Sequence, residues 1–175
     1  MNAVRIIAGT YGGRLIYTPG TRVTHPMGDR ERSAIFNTLQ PNLVGATFLD
    51  AFAGSGAVGL EAISRGASSV TFLENHKKAI QIITKNIAKL EVTKQSKIAR
   101  NPSSISGKFD IILADPPYDQ PQYALITKLL KHLRSGGIFV LSHSKDTPPP
   151  TFPNLILISD KTYANANIKI YQNHI

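Results

Sequence analysis

From about residue 47 to residue 143 the chain alternates short apolar, β-rich runs with helix-length amphipathic stretches. Strict alternation of this kind constrains the fold, because parallel strands need long crossovers and helical crossovers cover both faces of the sheet they connect. The candidate strands are Ala46 to Asp50, Ser69 to Glu74, Lys97 to Arg100, Phe109 to Asp115 and Gly137 to His143. Between them the spacing of apolar residues predicts helices over Gly56 to Arg65, Lys77 to Leu90 and Gln122 to Leu133. Asp110 to Leu113 is nearly continuously apolar, as suits a central strand buried on both faces. Ser135-Gly136-Gly137 is expected to close the helix before it, since glycine commonly follows a helix C-terminus.

Two regions flank this α/β core. Val4 to Ala8 and Arg14 to Tyr17 are β-like runs joined through Gly9, Gly12 and Gly13, which predicts a hairpin; a helix from about Asp29 to Leu39, ending near Pro41, follows. At the other end, Leu155 to Ser159 and Ile168 to Gln172 read as two further strands, set off from the core by the stiff Pro148-Pro149-Pro150 turn. A length of 175 residues suits one core. The expected organisation is therefore a single domain over 1–175, with an N-terminal hairpin and helix (1–42) on a Rossmann-like core (43–175).

Charge points to the partner. Lys and Arg number 20 against 11 Asp and Glu, a net +9, so a polyanion is the first suspect. Residues 1–32 hold Arg5, Arg14, Arg22, Arg30 and Arg32 against Asp29 and Glu31, with Tyr11, Tyr17 and His25 interleaved. Cations among stacking groups are what RNA binding favours, and these five arginines are the candidate RNA contacts. The chain has no cysteine, which excludes a disulfide framework, a thiolate zinc site and a cysteine nucleophile, and fits a reducing compartment. His25, His76, His132, His143 and His174 show no ligand spacing, so no metal is expected. The longest apolar runs, such as Gly137 to Ser142, fall far short of the roughly 20 residues that span a bilayer. Met1 opens no signal-peptide pattern, and a cytoplasmic location is expected.

Phe48-Leu49-Asp50-Ala51-Phe52-Ala53-Gly54-Ser55-Gly56-Ala57-Val58-Gly59 is a strand running into a glycine turn and then a helix. Gly54, Gly56 and Gly59 form a literal G-x-G-x-x-G, and Glu74 follows Gly54 by twenty positions, where a dinucleotide fold keeps its ribose-binding acid. A nicotinamide oxidoreductase must therefore be weighed. Asp50 and Phe52 discriminate: a carboxylate just before the loop suits a cationic amino-acid moiety and would repel a pyrophosphate. S-adenosylmethionine carries the former and lacks the latter. Glu74 suits the ribose hydroxyls of either cofactor. Asn101-Pro102, after the third strand, lies where an adenine would sit, although Asn-Pro is also a common turn.

Asp115-Pro116-Pro117-Tyr118 ends the fourth strand, which should lie beside the first across the switch point where such sheets bind ligands. An exocyclic base nitrogen is a poor nucleophile because its lone pair is delocalised, so a catalyst must accept from its N–H groups as the nitrogen pyramidalises. Asp115 and a backbone carbonyl can do so. The prolines stiffen the turn and remove its N–H groups, and Tyr118 offers a face on which a base can stack.

Together the loop from Asp50 to Glu61 and the tetrapeptide resemble the amino-methyltransferase signature of nucleic acid enzymes. With Arg5-Ile6-Ile7-Ala8-Gly9, Gly13-Arg14-Leu15, Asp29-Arg30-Glu31-Arg32, Phe36-Asn37, Tyr163 and Ile170-Tyr171, nearly the whole chain is similar to the bacterial RsmD family of 16S rRNA guanine-N(2) methyltransferases. The resemblance implies a seven-stranded class I methyltransferase fold with an N-terminal hairpin. It also implies S-adenosylmethionine as cofactor, and as substrate a guanine 2-amino group of 16S rRNA within the small subunit or an assembly intermediate. Carried over by position, Asp50, Phe52, Gly54, Gly56 and Glu74 would bind the cofactor with Asn101 near its adenine, while Asp115, Pro116 and Tyr118 would hold the base. A monomer with neither membrane nor metal partner is expected. His25-Pro26-Met27 stands where the family usually has Arg-Pro-Thr, Ser33 replaces a glutamate, and Pro102 replaces a small residue. The residues alone leave open an adenine amino-methyltransferase on DNA or RNA, and a non-catalytic RNA-binding protein on the same fold.

Overall fold

A computed structural model describes residues 2–20, 27–164 and 166–175. Arg22 and His25 lie outside the described residues. A seven-stranded sheet forms the centre. Its strands are β3 (Thr47–Ala51), β4 (Ser69–Leu73), β5 (Ser96–Ala99), β6 (Phe109–Ala114), β7 (Leu133–His143), β8 (Leu155–Thr162) and β9 (Asn167–Asn173), in the order β5-β4-β3-β6-β7-β9-β8. The pairs β3·β4, β3·β6, β4·β5 and β6·β7 are parallel, whereas β9 runs antiparallel to β7 and β8. The order reverses between β3 and β6, which puts the strand carrying Asp50 beside the strand that ends at Asp115.

Helices α1 (Asp29–Leu43), α2 (Ala57–Ser64) and α3 (Lys77–Leu90) lie on one face, where they share a core with Phe48, Phe72, Ile111, Leu113 and Val140. Helix α4 (Tyr123–Leu129) lies on the other, with Leu49, Ile112, Phe139 and Leu141. Alternation along each strand feeds the two cores in turn. The class I methyltransferase architecture expected from the sequence is the one found.

Three local expectations are corrected. Pro41 lies inside α1, two residues before its end, because Ile35, Phe36, Leu39 and Leu43 form one buried face and packing Leu43 favours a last turn despite the lost hydrogen bond. Helix α4 stops at Leu129 and winds into a 3-10 turn, Leu130–His132, that leads directly into β7. Ser135-Gly136-Gly137 then lies within β7, where pairing with β6 jumps from Phe109↔Leu133 to Ile111↔Ile138, and Gly136 takes φ +71°. These glycines serve a bulge and not a helix end.

The N-terminal hairpin, β1 (Ala3–Arg5) with β2 (Leu15–Tyr17), pairs outside the main sheet and packs Ile6 and Ile16 into the α1–α3 core. Its loop meets α2 closely: Gly9 has φ +84°, and a Cβ there would lie 1.9 Å from the Ser64 carbonyl oxygen, so only glycine fits. No helix among the described residues is long and apolar enough to cross a membrane.

Candidate active site

The C-terminal ends of β3, β4 and β6 bring three carboxylates into one neighbourhood. Asp50 pairs with Phe72 and Leu113 in register. Glu74 and Asp115, two residues beyond those partners, therefore share its side of the sheet. Among the described residues none of the three takes part in an ion pair. The Asp50 carboxylate is buried and accepts from the Gly59 N–H at 2.9 Å; burial, with the Asp115 and Glu74 charges adding to it, pushes its pKa up to about 8. Burial likewise pushes Asp115 up to about 6, with the Ser142 hydroxyl acting in the opposite direction.

Loop geometry accounts for each glycine of the motif. Gly54 has φ +56° and its missing Cβ faces open space, which leaves the backbone accessible to a ligand. Gly56 has φ +81° and begins α2. At Gly59 a Cβ would lie 2.3 Å from the Phe72 ring, so this glycine permits α2 to pack against β4. Phe52 is left-handed at φ 67°, a strained conformation for a residue with a Cβ and one that tends to persist at ligand sites. Glu74 accepts from the Gly54 N–H at 2.9 Å and from the Asn75 and His76 N–H groups, which ties the second strand end to the loop.

Carboxylates that have no cationic partner among the described residues, with Asp50 and Asp115 raised by burial, are stabilised in their ionised form by a ligand that brings positive charge and disfavour a pyrophosphate. The residues present thus fit S-adenosylmethionine, with its ammonium and sulfonium, better than a dinucleotide. Asn101 sits at the same sheet end, two residues beyond β5, capping a 3-10 turn through Ser103 and Ser104.

The Asp115-Pro116-Pro117-Tyr118 turn follows directly. Tyr118 is exposed by 37%, and its hydroxyl lies 2.6 Å from that of Ser142, which is buried at the end of β7. Burial, then Asp115, raises the Tyr118 pKa to about 12, and Glu31 of α1 adds to the effect.

The family model described as conserved hypothetical protein 95 matches residues 4–172. The protein called ribosomal RNA small subunit methyltransferase D of Haemophilus influenzae is 33% identical over 97% of this chain and 94% of its own length. Its Escherichia coli K12 counterpart is 32% identical over 97% and 89%. The chain belongs to the RsmD family. A solved Escherichia coli structure, described as a methyltransferase, matches at TM-score 0.89 with 30% identity over 99% of each chain.

Within this RsmD family chain, Arg5, Arg14 and Arg30 are exposed. Arg32 is not, and its assignment as an RNA contact is corrected. Only 1% of it is accessible; its guanidinium donates to the Arg5 carbonyl at 2.6 Å and Asp29 at 3.0 Å and lies 3.8 Å from Glu61. Burial lowers its pKa, with Asp29 and Glu61 opposing. It binds the protein to itself.

Sequence reasoning missed three buried polar residues that assemble the site. Glu61, fully buried, accepts from the Ile7 and Ala8 N–H groups and from Arg65 at 2.8, 3.1 and 2.7 Å, fastening the hairpin to α2. Asn86 on α3 accepts from the Tyr17 N–H and donates to the carbonyls of Tyr17 and Ser55, joining the hairpin to the glycine loop. Ser142 supports Tyr118. Each had a signal in the sequence: a polar residue at a position that its helix or strand periodicity assigns to the core.

Proposed function

We propose that this protein transfers a methyl group from S-adenosylmethionine to the exocyclic 2-amino group of a guanine in 16S rRNA, within the small ribosomal subunit or its assembly intermediate. The observation that carries this reading is the set of carboxylates around the glycine loop that have no cationic partner among the described residues, placed next to a stiff Asp-Pro-Pro-Tyr turn with an accessible aromatic face. The names of the relatives support the rRNA substrate.

When bound, S-adenosylmethionine supplies an electrophilic methyl whose leaving group is a neutral thioether. Asp50, Phe52, Gly54 and Gly56 hold its amino-acid end, Glu74 its ribose, and Asn101 borders its adenine. Ionised Asp115 accepts from the target amine as the nitrogen pyramidalises, and Pro116 fixes the backbone carbonyl beside it. Tyr118 stacks on the base, held by Ser142, which contributes roughly 1 to 3 kcal/mol per base in comparable sites. Residues 1–42, with Arg5, Arg14, Arg22 and Arg30, contact RNA, and residues 43–175 form the catalytic core of a monomer that needs no metal.

The test is transfer of labelled methyl to small subunits lacking their modifications, with the product nucleoside identified by mass spectrometry. N(2)-methylguanosine, lost in Asp115→Ala while cofactor binding is kept, is the expected result. Methyladenosine would overturn the base assignment, and undiminished turnover in Asp115→Ala would overturn the mechanism.

A further inference from the structure

Helix α3 carries Lys77, Lys78, Lys85 and Lys89 and no acidic residue. At 3.6 residues per turn, Lys78, Lys85 and Lys89 fall within about 40° of one another, a stripe about 16 Å long. All three are exposed, and among the described residues none takes part in an ion pair. An ordinary solvated helix face mixes signs, and Lys77 and Lys78 stand in the first turn, where the helix dipole disfavours cations. Local electrostatics therefore opposes Lys78, and Lys85 and Lys89 repel at i,i+4, while the dipole favours Lys89 in the last turn.

The stripe is continuous with the hairpin. The buried face of α3 is Ala79, Ile83, Asn86, Ile87 and Leu90, and Asn86 lies on the edge of that face nearest the lysines. Asn86 grips the backbone of Tyr17, and the Lys89 ammonium lies 4.6 Å over the Tyr17 ring. Exposed Arg14 lies 5.9 Å over the Tyr11 ring in the same hairpin. At its other end α3 begins three residues after Glu74, at the edge of the cofactor loop.

We propose that Lys78, Lys85 and Lys89 extend the RNA-binding surface, running as a cationic track along α3 from the hairpin towards the active site and taking phosphates of the substrate RNA. This rests on the rRNA reading above. Three point charges with no aromatic side chain on their own helix suit a phosphate backbone better than bases, so they would add affinity with little sequence preference.

The experiment uses the full chain with unmodified small subunits as probe, and compares wild type, K78Q/K85Q/K89Q, and a control, K128Q/K131Q/K161Q, whose lysines are exposed on α4, the turn after it and β8. Dissociation constants are measured between 50 and 200 mM salt. The α3 variant should reduce the slope of log affinity against log salt by about 2 to 3. It should raise KM for subunits while leaving kcat and cofactor affinity unchanged and the melting temperature no lower than wild type; the control should match wild type in slope and KM. An α3 slope equal to wild type, or an equal loss in the control, would overturn the track while leaving the activity standing. Wild-type enzyme that neither binds nor methylates subunits would overturn the rRNA reading and the track with it.

Discussion

Replacing Glu61 by Gln tests whether the N-terminal extension is fastened to the cofactor helix as the structure indicates. Glu61 is wholly buried, and its two oxygens hold the Ile7 and Ala8 N–H groups and the Arg65 guanidinium, with buried Arg32 3.8 Å away. Gln keeps one carbonyl oxygen, enough for one backbone donor, and presents an amide to the groups the other oxygen served. Removing one partner of a buried ion pair costs roughly 3 to 5 kcal/mol, and an orphaned buried N–H about 1 to 3 kcal/mol. The amide is neutral and isosteric, so about 3 kcal/mol is expected. For a chain of this size that corresponds to a fall in Tm of roughly 6 to 12 °C. Urea unfolding followed by circular dichroism should show a lower midpoint at unchanged slope. A loss under about 1 kcal/mol would refute the reasoning, because it would mean that water screens the network.

Two further outcomes are expected. The Asp115 pKa is raised to about 6, and the reaction uses the ionised form, so with S-adenosylmethionine saturating, kcat/KM for subunits should be level above about pH 7, half-maximal near pH 6 and fall tenfold per unit below about pH 5; a profile without a break between pH 5 and 7 would remove Asp115 as the acceptor. Asn86→Ala withdraws the amide that joins Tyr17 to Ser55, and should weaken cofactor binding about tenfold by calorimetry at roughly 1.4 kcal/mol; unaltered affinity would show that the glycine loop holds its shape alone.

The order of strands and helices was legible in the sequence because each core element carries its own period. The glycine loop was legible because strand, turn and helix chemistry coincide within twelve residues. Asp50, Glu74 and Asp115 could be named from their places at strand ends. Boundaries failed where distant packing outweighs local chemistry: Pro41 is carried inside α1 by its buried face, and Ser135-Gly136-Gly137 forms a bulge because β7 must keep pairing with β6.

What the sequence determined by itself was periodicity, net charge and the motifs, all of which are short-range. Tertiary structure alone decided which charges face water. Arg32 and Arg14 look equivalent in the chain, yet one is sealed between Asp29, Glu61 and the Arg5 carbonyl while the other is exposed. Likewise Glu61 and Asn86 become anchors only once the hairpin, far away in sequence, folds against α2 and α3 and brings backbone groups that need partners where water is excluded.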